Sequence, residues 1–323
     1  MKNIISLFRS TFICLLIFAT FSVSAQTGKL LSQKSFKADK KIIAELNNTN
    51  PGANYTDTFA LAEMSRIKYK SDGYSIDAYL IRPTKEGKYP CLVYNRDGWE
   101  NTGALTDIFV AENLHKIARW GYVVVASQYR GTAGSDGDDE FGGEDVNDVV
   151  NLIELLGKIP EADTTRIGMY GRNRGGMMTF LALSQTKRID AAIVSSPISN
   201  IFVYIAENVE MYDVLERLIP DYPANRVKPL KKRSLVFWGH KPCKKTPILI
   251  LQGSCDKYIH PIQSMNCFEE LFKELHPARL VILEGADNEL LPLRNEADEM
   301  IKSWLNKYVR NEEDFPEIID LTR

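Results

Sequence analysis

Between an apolar run ending at Tyr170 and a helix-like run beginning near Gly175, the chain reads Tyr170-Gly171-Arg172-Asn173-Arg174-Gly175-Gly176. Small residues on both sides of position 173 permit a sharp corner that lifts one side chain above the end of a strand, at the positive end of the next helix. A nucleophile there could attack a carbonyl, and the helix end could steady the negative charge that develops. Here the raised residue is Asn173, whose carboxamide has no proton to lose near neutral pH and no attacking oxygen of comparable strength. A glycine corner alone is weak evidence for chemistry, because such turns in α/β proteins commonly serve close packing.

Two later stretches carry further polar groups. Leu251-Gln252-Gly253-Ser254-Cys255-Asp256 ends a buried-strand pattern with a carboxylate, and Glu284-Gly285-Ala286-Asp287-Asn288 ends another with a second carboxamide. Of the four histidines, His115 and His276 fall in or at the end of helical patterns and read as packing groups. His240 lies in a loosely patterned region, while His260, four residues beyond Asp256, is the one placed to act as a substitute base. Ser195, Ser196 and Ser254 lack a corner and read as strand-end hydrogen bonders. Asp136, Asp138, Asp139, Glu140, Glu144, Asp145 and Asp148 form the most acidic region, but their spacing does not match a calcium loop, and no metal site is expected.

These groups need a frame to position them. Ser65 to Lys70 and Tyr74 to Ile81 read as a hairpin around Ser71-Asp72-Gly73. After Pro83 strand and helix alternate: Cys91 to Tyr94, a helix over Leu105 to Trp120, the β-branched run Tyr122 to Ala126, a Gly/Asp-rich loop, a helix over Glu144 to Leu156, and the Arg166 to Tyr170 strand before the corner. Continuous β-branched runs need cover on both faces, which helices flanking a parallel sheet supply. Ile189 to Val194, Ile248 to Leu251 and Arg279 to Leu283 add strands, and Arg294 to Tyr308 closes the frame with Met300, Ile301, Trp304 and Leu305 inward. The spacing therefore predicts one α/β domain over 61–310, with residues 26–60 as an N-terminal arm, 195–247 as a cap-like excursion and 311–323 as a polar tail.

The order of these stretches resembles the α/β-hydrolase superfamily, and within it the prolyl oligopeptidase-like group without its large propeller. The resemblance spans roughly Met64 to Val309 and includes Tyr94-Asn95-Arg96-Asp97-Gly98, Gln128-Tyr129-Arg130-Gly131 and the Gly142-Gly143-Glu144-Asp145 helix start. It implies an α/β-hydrolase fold, a mostly parallel eight-stranded sheet flanked by helices, with ligand space at the carboxyl ends of the strands. Carried across, Asn173 stands where the family has its serine, Asp256 matches the aspartate, and Asn288 stands where the histidine belongs. The backbone N–H of Arg174 matches one oxyanion-hole donor, and an N–H near Arg96 or Asp97 matches the second. Asp97 replaces a residue that is commonly glycine, and its carboxylate opposes a developing oxyanion if it points inward.

Losing the serine removes the acyl-enzyme, and losing the histidine removes the proton shuttle. Removal of either member from a well-studied triad costs about 10⁶ in turnover, and the second loss adds little. Deamidation of Asn173 to aspartate would leave position 288 still without a base. The resemblance therefore implies a catalytically impaired relative that keeps a small-molecule or peptide-binding cleft. The alternatives are an active peptidase or esterase with His260 as relocated base, and an interaction domain whose cleft is filled.

The chain has 323 residues, 44% hydrophobic and 25% charged, and a formal charge of -2, with no basic run that would suit nucleic acid. No cofactor is expected, and the sequence does not indicate an oligomeric state. Lys2 and Arg9 precede the apolar stretch Phe12 to Phe21, and Val23-Ser24-Ala25 follows, so residues 1–25 read as a cleaved signal peptide. That predicts an exported protein, periplasmic or secreted, with no membrane span after cleavage. Cys91, Cys243, Cys255 and Cys267 are too scattered for a disulfide scaffold, although one bridge among the last three would suit an oxidising compartment.

Overall fold

A computed structural model describes residues 27–49, 58–222 and 224–316. The signal-peptide segment 1–25 and the end of the tail lie outside the described residues. One sheet runs in the order β1-β2-β3-β5-β4-β6-β7-β8-β9. Its strands are β1 Leu30–Phe36, β2 Ala62–Ser71, β3 Tyr74–Pro83, β4 Tyr89–Asn95, β5 Val123–Ser127, β6 Ala162–Arg172, β7 Ala191–Ser195, β8 Ile248–Gly253 and β9 Ala278–Leu283. From β5 to β9 every pairing is parallel, and β1, β2 and β3 are joined antiparallel at one edge.

The expected mostly parallel sheet is present, with nine strands instead of eight. The extra one, β1, falls in what the sequence suggested was a polar arm. Its residues Leu31 to Ser35 are exposed, so no alternation of apolar residues announces it. It is held by the ladder to β2, from Leu30 opposite Tyr69 to Phe36 opposite Met64, with Gln33 bonded to Ser65 and Phe36 packed on the Tyr79 ring. The arm also contains the helix Lys40–Thr49.

Period-two alternation divides the central strands between two cores. Cys91, Val93, Val123 and Val125 face the helices Val146–Leu156 and Arg174–Leu183. Leu92, Tyr94, Val124 and Ala126 face the opposite layer, built by residues 107–119 and the helix Arg294–Leu305. In that last helix Ile301, Trp304 and Leu305 are buried as expected, and Met300 is only half-buried. Between β7 and β8 the loosely patterned excursion folds into three short helices, Ile201–Glu207, Met211–Leu218 and Val227–Lys232. Cys91, Cys243, Cys255 and Cys267 are all free thiols, so the bridge allowed for among the last three does not form.

The strand order reverses at β4, which has β5 on one side and β6 on the other. At such a reversal the connections leaving neighbouring strands head for opposite faces of the sheet, above the strands' carboxyl ends. Asn95 ends β4 and Arg172 ends β6, so the Arg96–Gly98 loop and the Asn173 corner meet there. A Cβ on Gly171 would lie 2.0 Å from the Gly175 carbonyl oxygen, and one on Gly175 would lie 2.1 Å from that of Asn95. No side chain fits at either position, which is why the corner can be so tight.

Gly175→Ala is therefore expected to destabilise the fold by about 3 kcal/mol, the upper end of overpacking costs, as measured by the urea midpoint. A midpoint equal to wild type would contradict the packing described at this corner.

Candidate functional site

Asn173 sits between β6 and its helix at φ 49 and ψ -115, a conformation outside the allowed regions for ordinary residues. Its backbone is fixed from several directions: its N–H donates to the Ser195 carbonyl at 2.9 Å, and its own carbonyl accepts from Gly176 at 3.0 Å and from Ile198 at 3.3 Å. The corner is thus built as the glycine pattern predicts. The side chain is buried, and its Nδ2 donates to Asp97 Oδ2 at 2.7 Å.

Asp97 does point inward. Its other oxygen, Oδ1, accepts the Arg174 backbone N–H at 3.2 Å, the donor that the family resemblance assigns to an oxyanion. A carboxylate of the protein's own thus occupies the place where a reacting carbonyl oxygen would gain charge. A second anion there would meet direct repulsion in a partly desolvated corner. The resemblance assigns the second oxyanion donor to a backbone N–H near Arg96 or Asp97, and the Arg96 side chain braces that loop. Its buried guanidinium donates to the carbonyls of Gln128, Asp97 and Glu100 and to the Thr132 hydroxyl, over the Tyr129 ring. Burial, and after it the nearby Arg174 charge, pushes the Arg96 pKa down to about 10.

The Arg174 side chain is a functional group that the sequence reading missed, having assigned only its backbone. It is fully enclosed and donates to Asp139 at 2.8 and 2.6 Å, to Asp145 at 2.6 Å and to the Gly98 carbonyl at 2.8 Å. Burial favours protonation of Asp139, but the guanidinium outweighs it and holds that carboxyl at about 2. Asp148 is likewise taken up by Arg130, at 3.0 and 2.8 Å, and by Ser71 at 2.6 Å. The acidic region therefore neutralises two arginines and ties the loop after β5 to the corner. An arginine directly after the corner, in a chain with a glycine-rich acidic loop, was the available signal.

The remaining triad positions are present without being joined. Asp256, at the end of β8, is buried and accepts the N–H groups of Tyr258 and Ile259 at 2.9 and 2.8 Å. Asn288 lies in the loop after β9, where its backbone carbonyl accepts from Arg172 at 3.4 Å. No hydrogen bond links the side chains of Asn173, Asp256 and Asn288 to one another. Arg172 is buried and forms an ion pair with Glu289, the residue after Asn288, which anchors this loop to the corner. Ser254 also braces it, accepting the Gly285 N–H at 2.8 Å.

His260 does not approach the corner through any hydrogen bond. It is exposed, caps the helix Pro261–Lys273, and pairs through Nδ1 with Glu207 of the cap at 3.1 Å. His115 and His276 are buried packing groups as expected, and burial depresses both, the first to about 4. Ser195 shares a hydrogen bond with Tyr170 at 3.2 Å. Tyr204, absent from the sequence reading, is buried in the helix Ile201–Glu207, and its phenol pKa is raised by burial and then by the Asp97 and Glu210 carboxylates.

Arg174→Met would leave Asp139 and Asp145 buried without their partner, and urea titration at neutral pH should show a loss of about 3–5 kcal/mol. The Asp139 pKa is depressed on folding, so its contribution is complete above the unfolded value of about 3.9 and fades as the pH falls to about 2. The gap between variant and wild type should narrow over that interval; a gap that stays constant would contradict the pairing.

The sequence pattern of the prolyl oligopeptidase family matches residues 109–312. Over 211 residues the chain is 28% identical to uncharacterized peptidase YtmA of Bacillus subtilis, covering 65% of this chain and 79% of that protein. It is 26% identical to dipeptidyl-peptidase 5 of Porphyromonas gingivalis, covering 74% of this chain but only 37% of the relative. Among solved structures, Pyrococcus horikoshii acylaminoacyl peptidase superimposes with a TM-score of 0.67 at 22% identity, over 81% of this chain and 44% of that one. Acetyl xylan esterase from Paenibacillus sp. R4 gives 0.61 at 15% identity, over 87% and 92%. These likenesses at low identity concern the fold.

Proposed function

The chain belongs to the prolyl oligopeptidase family, and we propose that it is a member that binds ligand without serine-hydrolase turnover. The observation that carries this reading is the Asp97 carboxylate bonded to both Asn173 Nδ2 and the Arg174 N–H. Three separate requirements of acyl transfer fail together: the attacking oxygen is a carboxamide, the base is a carboxamide, and the oxyanion donor already serves an internal anion. The frame that aims these groups is retained at considerable conformational cost, which supports a continuing use of the cleft for recognition of a small molecule or a peptide.

The relocated-base reading finds less support. His260 is engaged with Glu207, and Ser195, whose carbonyl accepts the Asn173 N–H, and the following Ser196 are held at a strand end. Export to the periplasm or outside the cell is part of the proposal, and rests on the basic, apolar and small-residue order of residues 1–25.

Wild type should give no turnover of p-nitrophenyl esters or peptide anilides and no labelling by a serine-directed phosphonate. Asn173→Ser combined with Asn288→His should remain nearly inactive. Adding Asp97→Gly to that pair is expected to raise ester hydrolysis by about 10²–10³, the worth of an oxyanion donor. Turnover by wild type, or equal rates with and without Asp97→Gly, would overturn the proposal.

A further inference from the structure

We propose that the Asp97–Asn173 corner binds a primary ammonium group, carried by a small amine or by the amino terminus of a peptide. This rests on the preceding reading that the site recognises rather than turns over its ligand. The family's corner suits an oxyanion, and the substitutions reverse its sign.

The buried acids of the acidic loop all have arginine partners: Asp139 and Asp145 share Arg174, and Asp148 has Arg130. Asp97 and Asp256, at the heads of β4 and β8, form no ion pair with any lysine, arginine or histidine among the described residues. Arg172 is committed to Glu289 and Arg174 to the acidic loop, while Arg96, the residue before Asp97, turns its guanidinium to backbone carbonyls and the Thr132 hydroxyl and bonds to neither carboxylate oxygen of Asp97. The Asp97 carboxylate is therefore without a direct contact to a cationic side chain, and an ammonium would supply one.

Hydrogen-bonding capacity points the same way. A carboxylate accepts about four hydrogen bonds, and Asp97 receives one at each oxygen through its side-chain contacts with Asn173 and Arg174. Asn173 is 7% exposed, and its Oδ1 has no partner. Because its Nδ2 donates to Asp97, the planar carboxamide holds that unpaired acceptor beside the same carboxylate. Ser196, on the residue after the Asn173 N–H acceptor, also has a buried hydroxyl oxygen without a partner. The unpaired Asn173 oxygen can only accept and calls for a donor, whereas the Ser196 hydroxyl is open to a donor or an acceptor. An ammonium brings three donors and no acceptor, and is more compact than a planar guanidinium.

The test uses the full chain and three probes: n-butylamine, dialanine amide with a free amino terminus, and the same dipeptide amide acetylated at its terminus. Binding is followed by calorimetry and by the amide resonance of Arg174, whose N–H donates to Asp97. The expected result is that n-butylamine or the free dipeptide binds and shifts that resonance, while the acetylated form binds at least about tenfold more weakly. Binding of both amines would indicate recognition of the ammonium alone, and binding of the dipeptide only would indicate a peptide terminus. Asp97→Asn and Asp97→Ser should each weaken binding about tenfold or more, and the wild-type resonance reports the location should both fail to fold. Equal binding of acetylated and free forms, no binding by either amine, or an unmoved Arg174 resonance would overturn the proposal. Absence of both amine binding and turnover would sink this inference alone, whereas phosphonate labelling with turnover would sink the reading on which it rests.

Discussion

Holding Asn173 at φ 49 and ψ -115 costs on the order of 1–3 kcal/mol, and the corner persists because the surrounding chain leaves it no room to relax. The Gly175 position is pressed to the Asn95 backbone, and the Gly171 position to the Gly175 carbonyl. The next residue along, Arg174, is fastened below by two buried carboxylates. Those same carboxylates hold the loop after β5, while Arg96 fastens the loop after β4. Corner, loops and cap are therefore one mechanical unit whose geometry does not depend on what side chain stands at position 173.

This explains how catalytic residues can be exchanged while the architecture stays. Nucleophile and base contribute to rate, whereas glycines, guanidinium groups and acidic loop residues contribute to folding. Asp97 joins the two sets. Its carboxylate satisfies the corner's exposed N–H and the Asn173 amide from within, in place of a transient oxyanion from a substrate.

Much of this is legible in the amino-acid sequence. Alternating apolar runs at Cys91 to Tyr94 and Tyr122 to Ala126 announce the parallel core, because each needs cover on both faces. The carboxamides at 173 and 288 stand out against the family pattern, and Asp97 stands out as a hazard whose direction alone is open. Other features leave no periodic trace. β1 is exposed on both faces and is defined by backbone pairing. Arg174 resembles a surface residue after a turn, because its partners Asp139 and Asp145 lie far away along the chain. The pairing of Arg172 with Glu289 is hidden for the same reason.

A crystal structure that resolves the Asp97 carboxylate tests the central claim most directly. The account predicts Oδ1 within hydrogen-bond distance of the Arg174 nitrogen and Oδ2 on the Asn173 amide, with no imidazole near a free hydroxyl at the head of the sheet. Asp97 turned out to solvent, with the Arg174 N–H open and a histidine in contact with a serine or threonine hydroxyl, would contradict it.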